Sequence, residues 1–124
     1  MPQSRIDDGF MGTATTTAGS TATILSSTPP NAVNSFVVLY VLARCPTTGD
    51  RAYWWRGGYV NKDGAGVLTV DKQEDILKAF ATTGIRKADI DVQVSGGTVN
   101  VVVVGDSTLA PLVEWQALVR ILRL

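Results

Sequence analysis

Two aspartates, Asp89 and Asp91, alternate with Ile90 and Val92. On a strand that spacing puts both carboxylates on one face. A desolvated pair of carboxylates can divide acid and base work between its members. The same alternation also describes the wetted side of a half-buried strand, where both groups stay solvated. Other chemistry is harder to build. The chain has no histidine and one cysteine, Cys45. A serine or cysteine nucleophile therefore lacks its usual base, a Cys/His zinc site has too few ligands, and no intrachain disulfide can form. Cys45 closes an apolar strand and reads as a small buried hydrophobe. No GxSxG elbow occurs, and Gly64-Ala65-Gly66 has no lysine-serine after it, so it reads as a turn rather than a phosphate loop. No catalytic, cofactor-binding or metal-binding residue is assigned, and no enzyme is expected. The rival from that class is a small hydrolase or isomerase using Asp89 and Asp91.

Binding offers more. Tyr53, Trp54, Trp55 and Tyr59 lie within seven residues, flanked by Arg51 and Arg56. On a strand Tyr53, Trp55 and Tyr59 share one side, and Trp54 and Arg56 the other. At least one large aromatic then points away from whichever side is core. Aromatic rings beside arginine stack on sugars or anchor protein interfaces. Tyr53, Trp54, Trp55, Arg56 and Tyr59 are thus the candidate contacts to a ligand or partner, with core and edge packing as the plain alternative.

These residues need a scaffold, and the composition bounds it. A chain of 124 residues with 45% hydrophobic and 18% charged residues supports one domain and one core. Eleven basic residues balance eleven acidic ones, so neither nucleic acid nor an anionic membrane is an expected partner. No apolar run approaches the roughly 18 residues of a membrane span, and the first residues lack a signal-peptide core. Synthesis and folding in a cytoplasm are the expectation.

The chain punctuates itself into strands. Residues 1–20, rich in Thr, Ala, Gly and Ser, read as a flexible N-terminal arm ahead of a domain over 21–124. TATILSS (21–27) is a short strand, ended by Pro29-Pro30. SFVVLYVLARC (35–45) is the strongest strand, and turn residues 46–50 lead into RAYWWRGGYV (51–60). Asn61-Lys62-Asp63-Gly64 predicts a hairpin turn, and Gly66 to Asp71 the returning strand. Residues 71–81 (DKQEDILKAFA) predict the one short helix, capped by Asp71 with Glu74 three residues on and with Ile76, Leu77 and Phe80 on one face. Residues 89–95 and 98–104 form a hairpin across Gly96-Gly97, and 112–122 is the last strand. About seven strands at this spacing predict an all-β antiparallel β-sandwich or a barrel, with the sandwich preferred.

Three strands are apolar on both faces: 36–42, 101–104 and 112–122. A sandwich strand shows one face to its core and the other to water. Burying a large side chain is worth about 1.5–3 kcal/mol, so surplus apolar faces favour association of copies. Leu39, Val41, Val102, Val104, Leu118 and Leu122 are the expected oligomer interface.

Four runs carry a family resemblance: TTTAGSTATILSS, VVLYVLARCPTTGD, YWWRGGYVNKDGAGVLTV, and the ending VQVSGGTVNVVVVG…VEWQALVRIL with Trp115. Their order resembles the β-sandwich structural module of tailed-bacteriophage virion proteins, of head-decoration and tail-fibre type. The resemblance covers most of residues 13–124. It implies a non-enzymatic virion structural protein, usually a homotrimer, with the major capsid protein or other virion proteins as partners and no cofactor. Such modules are often embedded in longer fibre chains. Standing alone, this one is expected to be a separately added capsid decoration or cement protein docked by its arm. The alternative is a tail-fibre or spike component that binds a host surface glycan through Trp54 or Trp55.

Overall fold

Valine, isoleucine and aromatic residues in alternation suit pleated, half-buried strands. The computed structural model, which describes residues 5–124 with side chains from Met11 onward, consists of strands almost throughout. They are β1 (Arg5–Thr16), β2 (Thr21–Ser27), β3 (Val33–Arg44), β4 (Arg51–Lys62), β5 (Leu68–Ala81), β6 (Asp89–Ser95), β7 (Thr98–Val104) and β8 (Val113–Arg123). A single 3-10 turn, Thr83–Ile85, precedes β6. One sheet has the order β1-β8-β3-β4-β5 and the other β2-β7-β6. Every pairing is antiparallel. The expected all-β antiparallel sandwich is what the chain forms.

The core lies between the sheets and takes alternate residues from each strand. Val37, Leu39, Val41 and Ala43 of β3 meet Ile90 and Val92 of β6 and Val99, Val101 and Val103 of β7. Trp54 and Trp115 stack within it, with ring centroids 5.4 Å apart. The Trp115 indole donates to Thr16 Oγ1 at 2.8 Å. Gly96 and Gly97 both take positive φ, 56° and 81°, as the two-residue β6–β7 hairpin requires.

Two elements differ from expectation. Residues 71–81 are strand rather than helix. Asp71 sits inside β5, and no α-helix occurs among the described residues. The reason lies in the ladder. β5 pairs with β4 from Lys62↔Leu68 to Ala52↔Ala81 and carries three register shifts. Each shift inserts an unpaired residue and resets the alternation. The adjacent Ile76 and Leu77 therefore sit on one face with Phe80, a spacing that looks helical in the sequence. The second difference is β1. Arg5–Thr16, expected within a loose arm, pairs with β8 from Arg5↔Arg123 to Thr16↔Val113. Of the proposed arm, residues 1–4 lie outside the described residues. The β4–β5 turn also falls later than expected, with Asp63 Oδ1 accepting from the amides of Ala65 and Val67.

Candidate functional site

The inner side of the five-stranded sheet is core. Its outer side carries most of the surface that a lone sandwich has no use for. Reading the ladders crosswise arranges that side in rows. The middle row runs Met11–Leu118–Tyr40–Trp55–Leu77, one residue from each strand. Met11 is 65% exposed, Leu77 62% and Tyr40 39%. Leu42, Tyr53 and Phe80 lie on one side of it, next to Gln116. On the other side come Arg120, Val38 and Gly57, then Leu122, Phe36 and Tyr59.

Three aromatic stacks bind this face together: Phe36–Tyr59 at 5.0 Å, Tyr40–Trp55 at 5.9 Å and Tyr53–Phe80 at 5.5 Å. Stacked rings at these separations hold one another upright and present a fixed apolar surface. Gly57 leaves room there for its neighbours. A Cβ would meet the Phe36 ring at 3.2 Å and Ile76 Cδ1 at 3.5 Å, so these two side chains close over the bare backbone.

At the β3–β4 turn end the face becomes polar. Leu42, Arg44, Arg51, Tyr53, Glu114, Gln116, Thr13 and Thr15 line an open groove of about 980 Å³. Arg44 donates to Glu114 Oε1 from Nε at 3.1 Å and from Nη2 at 3.0 Å. The Arg51 guanidinium lies 6.0 Å from the Phe80 ring centroid. The opposite end has a smaller groove of about 350 Å³, lined by Phe36, Tyr59, Asp71, Leu122 and Leu124 among others.

The structure separates the residues expected to act together. Leu39 and Val41 are fully buried core residues, because the odd-numbered side of β3 faces β6 and β7. They cannot contact another copy. Val102 and Val104 are half-buried on the outer side of the three-stranded sheet, among Thr21, Thr23, Asp89 and Asp91. Leu118 and Leu122 alone join the aromatic face. Trp54 is only 6% exposed, in the core against Trp115, so it contacts no ligand. Arg56 is turned inward. It donates to the Ile90 carbonyl and to Asp75 Oδ1 (3.0 Å), and lies 3.6 Å from Asp89. Tyr53, Trp55 and Tyr59 do face outward together. Sequence reasoning missed Tyr40, Leu42, Phe80 and Leu77 as members of this face. The β3 pair was legible from alternation, but the β5 pair was hidden by the helical reading.

Asp89 and Asp91 are engaged in separate contacts. Asp91 accepts from Gln73 at 2.8 Å and from Gln93 at 3.1 Å, and Asp89 accepts from the Ile90 amide at 2.8 Å. Two other aspartates anchor loops. The Asp50 carboxyl is held below its ordinary range by hydrogen bonds from Thr48 and Thr82. For Asp106 burial pushes upward, but hydrogen bonds from Thr108 and Lys87 outweigh it and hold the group low. No cluster of metal-ligating residues occurs among the described residues.

No protein-family model matches the chain, and no curated protein does. Among solved structures it is similar to the tailspike protein of Acinetobacter baumannii phage AM24. The TM-score is 0.46 at 7% identity, over 96% of this chain and 26% of that one. It is also similar to the tailspike protein of Acinetobacter phage vB_ApiP_P1. There the TM-score is 0.36 at 11% identity, over 94% of this chain and 21% of that one. The chain thus spans about a quarter of the first and a fifth of the second. At these TM-scores neither likeness establishes a shared fold or function.

Proposed function

We propose that this chain is a non-enzymatic structural component of a tailed-bacteriophage virion, one that decorates or cements the head by assembling with identical copies and with other virion proteins. The observation that carries the assembly role is the outer face of the five-stranded sheet. Stacked aromatics and exposed Leu and Met side chains cover it from β1 to β5. Contiguous apolar patches of this kind mark interaction surfaces. The virion assignment is supported by the four sequence runs and their order. Mass spectrometry of purified particles from the phage encoding the chain tests it. Many copies per particle are expected, and absence from the particle sinks it.

One observation favours a second reading, a tail-fibre or spike component that holds a host glycan. The groove at the β3–β4 end combines the exposed Tyr53 ring with Arg44, Arg51, Glu114 and Gln116, a set that can stack on and hydrogen-bond a sugar. Trp54 plays no part in it. A glycan array probed with the intact chain and with Tyr53→Ala separates the readings. Signals lost in the variant favour the receptor role, and silence from both favours cementing.

A further inference from the structure

On one side of the sandwich the two sheets end as neighbours. β5 closes the five-stranded sheet and β6 the three-stranded one, and no backbone ladder joins them. An edge strand can accept another extended chain through its backbone alone. Which groups β6 offers follows from its hairpin. The closing pair is Ser95↔Thr98, followed by Gln93↔Asn100 and Asp91↔Val102. Antiparallel pairs alternate between bonded and unbonded ones. Asp91, Gln93 and Ser95 thus bond to β7, while the backbone groups of Ile90, Val92 and Val94 turn to the edge.

Side chains meet those groups where a strand would. Gln73 reaches across from β5. Its Oε1 accepts from the Val92 amide and its Nε2 donates to the Val92 carbonyl, both at 3.1 Å. A carboxamide carries the donor and acceptor of a peptide bond, so this is the double bond that a neighbouring strand would make to one residue. Nε2 also donates to Asp91 Oδ1 at 2.8 Å, which fixes how the amide is turned. At Ile90 the carbonyl accepts from Arg56 of β4, and the amide donates to Asp89 Oδ1 at 2.8 Å. Asp75, opposite Arg56 in the β4–β5 ladder, holds the guanidinium at 3.0 Å.

We propose that Gln73, seconded by Arg56, is an autoinhibitory contact: a side-chain substitute for a further strand, which keeps β6 from pairing with the β6 of a second copy. The second copy is the occupant because its edge presents the same groups, and two identical antiparallel edges meet about a two-fold axis. The idea concerns a different surface from the aromatic face and stands whether or not the chain is found in virions.

Gln73→Ala, half-buried and outside the core, tests it. Hydrogen exchange followed by NMR in dilute solution should show the Val92 amide exchanging about tenfold faster than in wild type, with the amides of Asp91 and Gln93 unchanged. As concentration rises, light scattering should give a mass above that of wild type at the same concentration. Adding Val94→Pro should bring it back, since proline at an outward-facing position blunts an edge without removing a bond to β7. Gln73→Asn keeps the carboxamide but is too short to reach Val92, so it should behave as alanine does and serves in its place if the alanine variant unfolds. An unchanged Val92 exchange rate, a mass equal to wild type at every concentration, or association that survives Val94→Pro would each overturn the proposal.

Discussion

Two indole nitrogens of this sandwich meet opposite fates. Trp115 Nε1 donates to Thr16 Oγ1, and both residues are almost wholly buried. Trp55 Nε1 is buried under the outer aromatic layer and has no hydrogen-bond partner among the described residues. A satisfied buried bond is worth about 1 kcal/mol net, and an orphaned partner costs about 1–3 kcal/mol. Trp115→Phe should therefore destabilise by about 2–4 kcal/mol, since it orphans Thr16 and opens space beside Trp54. Trp55→Phe removes an unsatisfied donor and keeps a ring over Tyr40, so it should lie within about 1 kcal/mol of wild type. Denaturant titration of both decides, and equal losses would refute the contrast. The loop carboxylates have a pH signature. Asp50 and Asp106 both have folded values below the ordinary 3.8. The stability they contribute is complete above that value and is lost as pH falls through their lower folded values. Asp106→Asn should flatten the acid limb of a melting-temperature profile and lower the plateau by about 1–3 kcal/mol, because the amides of Lys87 and Thr108 lose their carboxylate acceptor.

At the scale of elements, β1 and β5 are the two edges of the large sheet, and both were hard to read for a physical reason. An edge strand has one neighbour, so its sequence answers to less packing and alternation weakens. The central strands β3 and β8 and the β6–β7 hairpin were legible because each buries a strict every-other-residue set and closes on Gly-Gly. What no single strand could disclose is register. Tyr40 lies beside Trp55, and Leu118 beside Tyr40, only through the ladders. The outer face was thus half visible as surplus apolar residues, while its rows were not. Which of Trp54 and Trp55 faced inward was also undecided, since both sides of β4 carry aromatics. β1 yields a sharp prediction. A Cβ on Gly12 would stand 2.2 Å from the Ile24 carbonyl oxygen of β2, a backbone atom unable to retreat. Gly12→Val should cost about 1–3 kcal/mol or more by prying β1 from β2. A melting temperature equal to wild type would show that β1 does not seat against β2. Deleting residues 1–20 strips β8 of one of its two partner strands, so it tests the fold as much as any docking role.

The whole molecule is two-faced. The outer side of the three-stranded sheet carries Thr21, Thr23, Thr98, Asn100, Asp91 and Gln93 around two half-buried valines, a surface content with water. Its edge is also shut. The Gln73 side chain pairs with both the amide and the carbonyl of Val92 at 3.1 Å, as a neighbouring strand would, and so denies β6 to an incoming strand. Lys62 fastens the far end, donating from Nζ to the carbonyls of Pro29 at 2.8 Å and Gly97 at 3.3 Å. In the proposed assembly the aromatic face is the contact, and burial of its apolar area is the driving force. Raising NaCl from about 0.1 M to about 1 M shortens the screening length from about 10 Å to about 3 Å and dissolves contacts made by exposed charges. An apolar contact survives that change and loosens on cooling, because its driving force near room temperature is entropic. The dissociation constant of the proposed assembly should move no more than about threefold with salt, since each exposed ion pair is worth about 0–1 kcal/mol. It should rise as temperature falls from ambient toward freezing. Sedimentation equilibrium across both variables checks this. A complex that falls apart in salt yet tightens in the cold would mean that Arg44, Arg51, Asp71 and Arg120, and not the rings between them, hold the copies together.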